Sequence, residues 1–178
     1  LVCVIRLSIP YAGLIVTVRE RAEVINSVLP MCTQRDASTR IGIGAYSDRD
    51  PEQQSDKQQF ILGDTRSLDE VIREQADKGY ITSFCTAGYR CGRTGDQIMN
   101  MLRSGREGRF CKLNAVLTFR EWLNDFATPE TKAAGERVIA KELAEIKARA
   151  PQEFTEEMLD TLMKYYGRIE KGERDLCF

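Results

Sequence analysis

The sequence predicts an α/β protein: the last βα units of a β/α barrel, followed by a mainly helical C-terminal domain. Strand, helix and strand patterns succeed one another between residues 10 and 40, which is typical of a parallel βαβ unit. Farther along, apolar residues recur mainly at three- and four-residue spacing, which is typical of amphipathic helices. We therefore divide the chain into a barrel portion with a crossing loop, residues 1–65, and a helical domain, residues 66–178.

The barrel portion is predicted from short apolar runs and from the proline and polar residues that end them. The opening "LVCVIRL" begins in mid-pattern, so we expect it to be the end of a helix and the chain to be the C-terminal part of a larger protein. Residues 10–20 predict a buried strand, and the next helix stops before Pro30. A second strand follows in "MCTQRDASTR", and a long polar loop leads out of it.

The helices of the second portion are predicted from their caps. Ser67 begins one and Gly79 ends it, while Thr94 and Gly105 bound the next. Thr118 with Glu121 three residues later is a capping-box pattern, so we expect a third helix to begin there. We expect four of its apolar residues to form a buried face: Leu117, Trp122, Leu123 and Phe126.

Composition excludes several classes of function. The chain has 26 basic and 27 acidic residues, so no strong field of one sign favours nucleic acid or an anionic membrane surface. No apolar run approaches the ~18 residues that span a bilayer. Six cysteines, no histidine and the lack of a secretory signal pattern predict a reduced, cytoplasmic protein in which any metal uses thiolates, carboxylates or backbone groups.

Polar side chains follow both predicted strands. Thr17 and Arg19 come after the first, and Ser38 and Arg40 after the second. In β/α barrels the carboxyl ends of the strands carry the active site. Because a guanidinium grips a carboxylate through two parallel hydrogen bonds, these four residues predict a carboxylate-binding site.

The stretch "SFCTAGYRCGRTGD" contains Cys85 and Cys91, and Cys111 follows it. Structural zinc sites normally show two close cysteine pairs, which this sequence lacks. A redox C-x-x-C is also absent. Spacing alone leaves a metal or cluster site and a glycine-rich loop both open.

A resemblance narrows this choice. "SFCTAGYRCGRTGDQIMN" and "FCKLNAVLTFREWLNDFA" resemble the C-terminal domain of the HydG family, the radical-SAM tyrosine lyases of [FeFe]-hydrogenase maturation. "RLSIPYAGLIVTVRE" and "TQRDASTRIGIGAYSD" resemble the last two strands of that family's radical-SAM barrel. The resemblance covers nearly the whole chain. The ThiH-type tyrosine lyases of thiamine synthesis share the barrel pattern, but are not expected to carry the long helical tail.

The resemblance implies a three-cysteine set that holds an auxiliary [4Fe-4S] cluster: a C-x-x-C pair and, after 22 intervening residues, a third cysteine. Cys85 and Cys111 match its first and third positions, whereas Gly88 occupies the middle one. Three explanations stand open. The site is empty, or Cys91 replaces the missing ligand, or the chain is a paralogue that cleaves an amino acid without building the iron product.

The resemblance also implies an activity for the full-length protein. It would cleave tyrosine, or a related amino acid, to p-cresol and dehydroglycine, using S-adenosylmethionine (SAM) and a second [4Fe-4S] cluster. Arg19 with Thr17, and less strongly Ser38 and Arg40, would bind the carboxylate of the substrate or of SAM. The C-x-x-x-C-x-x-C loop for SAM is absent from these residues, so we expect no catalytic residue and no activity in this chain alone. Hydrogenase-maturation proteins are the expected partners. The alternatives are a ThiH-like lyase and a non-catalytic module that carries a cluster or docks a partner.

Overall fold

The computed structural model describes residues 1–39, 41, 60–84 and 92–178. These residues form two compact units, Leu1–Val71 and Ile72–Phe178. The assignment of residues 1–65 to a barrel and of 66–178 to a cluster-type domain stays a prediction.

The first unit contains the predicted parallel βαβ arrangement, which is confirmed. Helix α1 (Val2–Ser8) precedes strand β1 (Ile15–Val16), helix α2 (Ala22–Val28) with a 3-10 turn at Leu29–Met31, and strand β2 (Gln34–Arg35). The two strands are parallel, with Ile15 opposite Gln34 and Val16 opposite Arg35. A two-stranded sheet is smaller than a barrel, so the barrel itself stays a prediction.

The predicted strand at residues 10–20 is much shorter than expected and is not buried as a whole. Only Ile15 and Val16 are in strand conformation, and Ile15 is 61% exposed. The interior of this unit is formed instead by side chains such as Val18 and Ile25, which are 2% and 0% exposed. The apolar run therefore predicted the position of the strand correctly, but the buried side chains come from the loop and the helix that follow the strand.

Gly63 shows how closely the chain folds back on this unit. Its amide donates to the carbonyl oxygen of Val18 at 2.9 Å. A Cβ atom at this position would lie 2.4 Å from the carbonyl carbon of Glu20 and 2.6 Å from the backbone nitrogen of Arg21. Since backbone atoms cannot move aside cheaply, only glycine permits this approach. It brings the next residue, Asp64, beside the end of β2.

Helix α3 (Leu68–Asp77) spans the division between the units, and the predicted caps are confirmed. The amide of Glu70 donates to the hydroxyl of Ser67, whose own amide donates to the Glu70 carboxylate at 2.9 Å. These reciprocal bonds form a capping box. Gly79 follows the helix with a φ of +81°, a conformation that glycine adopts without strain.

The second unit is organised around one long helix. Helix α4 (Gly95–Arg103) leads into α5 (Glu107–Asp125), which contacts α4 and both later helices, α6 (Pro129–Ala148) and α7 (Glu156–Glu170). Thr128 and Thr155 cap α6 and α7 through their hydroxyls. The fully buried side chains of α5, α6 and α7 include Leu113, Val116, Leu117, Phe119, Leu123, Ile139, Ile146, Leu162 and Ile169.

The predicted helix start at Thr118 is wrong. Helix α5 begins eleven residues earlier, at Glu107, and passes through Thr118 without a break. The Thr118 hydroxyl donates to the carbonyl oxygen of Asn114 at 2.9 Å, a bond that threonine makes inside helices. Of the expected apolar face, Trp122 is buried, but Phe126 is 72% exposed because it lies just beyond the helix end.

Candidate functional site

Three of the four predicted carboxylate-binding residues, Thr17, Arg19 and Ser38, follow the strands at one edge of the sheet. Thr17 and Arg19 follow β1 and Ser38 follows β2, and the strands are parallel. Their carboxyl ends therefore meet at the same edge. The Arg19 guanidinium lies 4.3 Å from the ring centroid of Phe60, a cation–π distance. Arg40 lies outside the described residues, and carboxylate binding by this group stays a prediction.

Ser38 contacts the segment after Gly63 through its backbone amide. Its φ is +56°, which is uncommon for a residue other than glycine. Its amide donates to the carbonyl oxygen of Arg66 at 3.2 Å, which ties the chain after β2 to the segment after Gly63.

An ion-pair cluster at the same edge was missed by sequence reasoning. Asp64 is 4% exposed, and its carboxylate accepts from Arg35 at 3.0 Å and from Arg66 at 2.8 and 2.9 Å. The hydrogen bonds from Arg66, helped by the charge of Arg35, hold the pKa of Asp64 below its usual value although burial opposes this. Arg35 and Asp64 are 29 residues apart, so no local spacing pattern in the sequence predicts their contact.

Of the predicted metal ligands, only Cys111 lies within the described residues; Cys85, Cys91 and Gly88 lie outside them. Cys111 is on the solvent-exposed side of α5, and its Sγ donates to Glu107 Oε1 at 3.5 Å. Glu107 lies one helical turn earlier and is 6% exposed. A thiol that is open to solvent therefore lies beside a sheltered carboxylate.

Described residues on either side of the segment 85–91 contact helix α5. Before it, the amide of Phe84 donates to the hydroxyl of Thr118 at 3.4 Å, and the Phe84 ring stacks on Trp122 at 6.1 Å between centroids. After it, the Arg93 guanidinium lies 4.3 Å from the centroid of the Phe110 ring. Phe84 and Arg93 therefore both contact the helix that carries Cys111.

Arg93 also anchors the C-terminal segment. Its Nη2 donates to the Phe178 oxygen at 2.8 Å, and its Nη1 lies 3.8 Å from Glu107 Oε1. The amide of Phe178 donates to the Asn114 side chain at 2.8 Å. Arg93 is only 6% exposed, so this buried guanidinium joins the C-terminal segment to the turn of α5 that carries Glu107.

The rest of the C-terminal segment follows the same helix. The amide of Leu176 donates to Glu121, and the Arg174 guanidinium pairs with Asp125 at the helix end. Burial is the largest cause that raises the pKa of Glu121 above its usual value. The segment therefore runs along α5 toward the Cys111 end.

The described residues contain no group of three or more His, Cys, Asp or Glu side chains placed to hold a metal ion. Within the same ranges, no helix has the length and apolar character to cross a membrane.

The chain is similar to a maturase of the [FeFe]-hydrogenase. That protein is HydG, and its crystal structure matches with a TM-score of 0.85 and 38% sequence identity. The match covers 99% of this chain and 36% of the HydG chain. The resemblance to the C-terminal part of HydG that the sequence indicated is therefore confirmed. No protein-family model and no curated protein matches the chain.

Proposed function

We propose that this chain is the C-terminal module of a radical-SAM maturase resembling HydG, and that its site for an auxiliary iron–sulfur cluster has lost one ligand. The observation that carries the proposal is the match to HydG over 99% of the chain at 38% identity. Such identity across both units supports a shared role of the module as well as a shared fold. The chain spans 36% of the HydG chain, so the activity of the whole protein is part of the proposal.

The donor set does not fit a cluster held by three thiolates. Cys85 and Cys111 supply two of them, but Gly88 has no side chain at the middle position. Four cysteines are the usual complement of a cubane cluster, and three leave one iron open to other ligands. Two thiolates are too few to hold the irons, so no reaction step is assigned to a cluster here.

For the whole protein, the proposed reaction is cleavage of tyrosine at its Cα–Cβ bond to p-cresol and dehydroglycine. Arg19 with Thr17 would bind a carboxylate at the edge of the sheet, with Ser38 and Arg40 in support. The ring of Phe60 beneath the Arg19 guanidinium supports this role, since it fixes the plane of the cation without using its hydrogen-bond donors. The Asp64 cluster would hold the neighbouring chain segments in place.

The test replaces the matching part of HydG with this chain and supplies tyrosine, SAM and a reductant without oxygen. We expect p-cresol to form and cyanide to stay at background, because the second half of the chemistry needs the missing ligand. The Gly88→Cys variant of the same chimera should form both products. Equal cyanide yields from the two chimeras would contradict the proposal that this site is degenerate.

A further inference from the structure

The segment 60–66 contacts the residues that follow both strands of the first unit. The amides of Gly63 and Asp64 donate to the same oxygen, the carbonyl oxygen of Val18, at 2.9 and 3.1 Å. Val18 is buried and comes directly before Arg19, a member of the predicted carboxylate-binding site. These two hydrogen bonds therefore fix the backbone from which the Arg19 side chain extends.

The same segment contacts the chain after β2 through Ser38. The Ser38 amide donates to the carbonyl oxygen of Arg66 at 3.2 Å, and the φ of Ser38 is +56°. A residue other than glycine keeps this backbone conformation only where neighbouring structure holds it. On the side of β1, the ring of Phe60 lies 4.3 Å from the Arg19 guanidinium. The position of the segment therefore affects both Arg19 and Ser38.

The carboxylate of Asp64 holds this segment against strand β2. Its Oδ1 accepts from the amide and the Nε of Arg66, at 3.2 and 2.9 Å. Its Oδ2 accepts from the Nη2 of Arg66 at 2.8 Å and from the Nη2 of Arg35, the last residue of β2, at 3.0 Å. Because Asp64 is buried, these charge-assisted bonds are stronger than the same bonds in water. One buried carboxylate therefore joins the segment to the strand that leads to Ser38.

We propose that Asp64 is a positioning residue of the carboxylate-binding site, and that it acts through the segment 60–66 on Arg19 and Ser38. Both of its oxygens accept from guanidinium groups, so we assign Asp64 no contact with the substrate. Without this carboxylate the segment is held less firmly, and the site residues lose the alignment that binding of a carboxylate needs. The inference rests on the proposed function, in which the substrate of this site is an amino acid.

The test compares Asp64→Asn with the wild-type chain, each in place of the matching part of HydG. Asparagine keeps the shape of the side chain but turns one acceptor oxygen into an N–H donor that faces guanidinium donors. We expect the KM for tyrosine to rise about tenfold or more and kcat to stay within about twofold. The reason is that the lost alignment weakens binding of the substrate and of the transition state alike.

The direction of the change in KM separates positioning from simple electrostatics. Removal of the negative charge of Asp64 would by itself favour a bound carboxylate and lower KM. A KM that is unchanged or lowered in Asp64→Asn would therefore overturn the proposal. Arg66→Lys is the second variant, for use if Asp64→Asn does not fold. Lysine keeps the charge but cannot bond both oxygens of Asp64 through a planar fork, so KM should again rise, and an unchanged KM would overturn the proposal.

Arg6→Gln is the matched control. Arg6 ties the opposite ends of the same two strands, because its guanidinium donates to the carbonyl oxygens of Met31 and Ala12, at 2.9 and 2.8 Å. Met31 precedes β2 and Ala12 precedes β1. We expect the KM of this variant to stay within about twofold of the wild-type value. A rise equal to that of Asp64→Asn would show a general loss of structure and overturn the assignment.

A second measurement needs no turnover and uses the 178-residue chain. Hydrogen exchange followed by NMR reports how firmly the Ser38 amide is bonded to Arg66. We expect this amide to exchange about tenfold faster or more in Asp64→Asn. The amide of Thr33, bonded to the carbonyl oxygen of Leu14 at 2.8 Å before the strands, should exchange as in the wild type.

Equal exchange of the Ser38 amide in the two proteins, or equal acceleration at Ser38 and Thr33, would overturn the proposal. This result does not depend on catalysis. Absence of p-cresol from the hybrid with the wild-type chain would contradict the proposed function, whereas the exchange rates decide the role of Asp64 separately.

Discussion

Trp122 is expected to be the side chain on which the second unit depends most. It is 9% exposed and stacks between Phe84 and Phe119, with centroid distances of 6.1 and 6.5 Å. A tryptophan buries roughly 200 Å², worth about 5 kcal/mol at ~25 cal/mol per Å². Alanine retains part of this contact, so we expect Trp122→Ala to lower the free energy of unfolding by about 3–5 kcal/mol.

The assay is urea unfolding followed by the circular dichroism of the helices, because the chain has one tryptophan and the variant loses its fluorescence. Phe126→Ala is the matched control: Phe126 is also aromatic and four residues away, but it is 72% exposed. We expect it to change stability by less than about 0.5 kcal/mol. Equal losses of unfolding free energy in the two variants, or a loss of less than about 1 kcal/mol in Trp122→Ala, would show that burial of Trp122 does not stabilise the unit as expected.

Three further expectations follow from local geometry. Gly167→Ala in α7 should stabilise the chain by about 0.5–1 kcal/mol in urea unfolding, because nothing beyond the adjoining residues and backbone of its own helix lies within 4 Å of the added Cβ and alanine favours helix. Gly135→Ala in α6 should destabilise it by about 1–3 kcal/mol in the same assay, because the added Cβ would lie 2.6 Å from the side chain of Leu123. Asp64→Asn should be less stable than the wild type at neutral pH. Because the pKa of Asp64 is lowered in the folded state, its contribution is complete above pH about 4 and is lost as the pH falls through the lowered pKa, so unfolding curves of the two proteins should converge in acid.

The sequence predicted those elements whose signals are local. The cap at Ser67 and the stop at Gly79 depend on contacts within a few residues, and both were found; the reciprocal bond to the Glu70 carboxylate was not predicted. The same rule misled at Thr118 with Glu121, because the pattern does not distinguish a cap from a threonine bonded to the preceding turn of a longer helix.

The contacts around the candidate site could not be predicted in this way. Arg93 bonds to Phe178, 85 residues away, and its pairing with Glu107 depends on how helix α5 meets the C-terminal segment. Glu107 lies in "RSGREGRF", a polar glycine-containing stretch that indicates a turn rather than the buried start of a helix. The spacing of Glu107 and Cys111, four residues on a helix, would have been a usable signal once the helix start was known.

Iron content after reconstitution tests the central claim most directly. The chain and its Gly88→Cys variant are incubated with iron and sulfide without oxygen, desalted, and analysed for iron, sulfide and charge-transfer absorption. We expect well below four irons per chain in the wild type and close to four in Gly88→Cys, because the variant restores the third thiolate. A full cluster in the wild type would contradict it. Loss of that cluster in Cys91→Ser would then identify Cys91 as the replacement ligand.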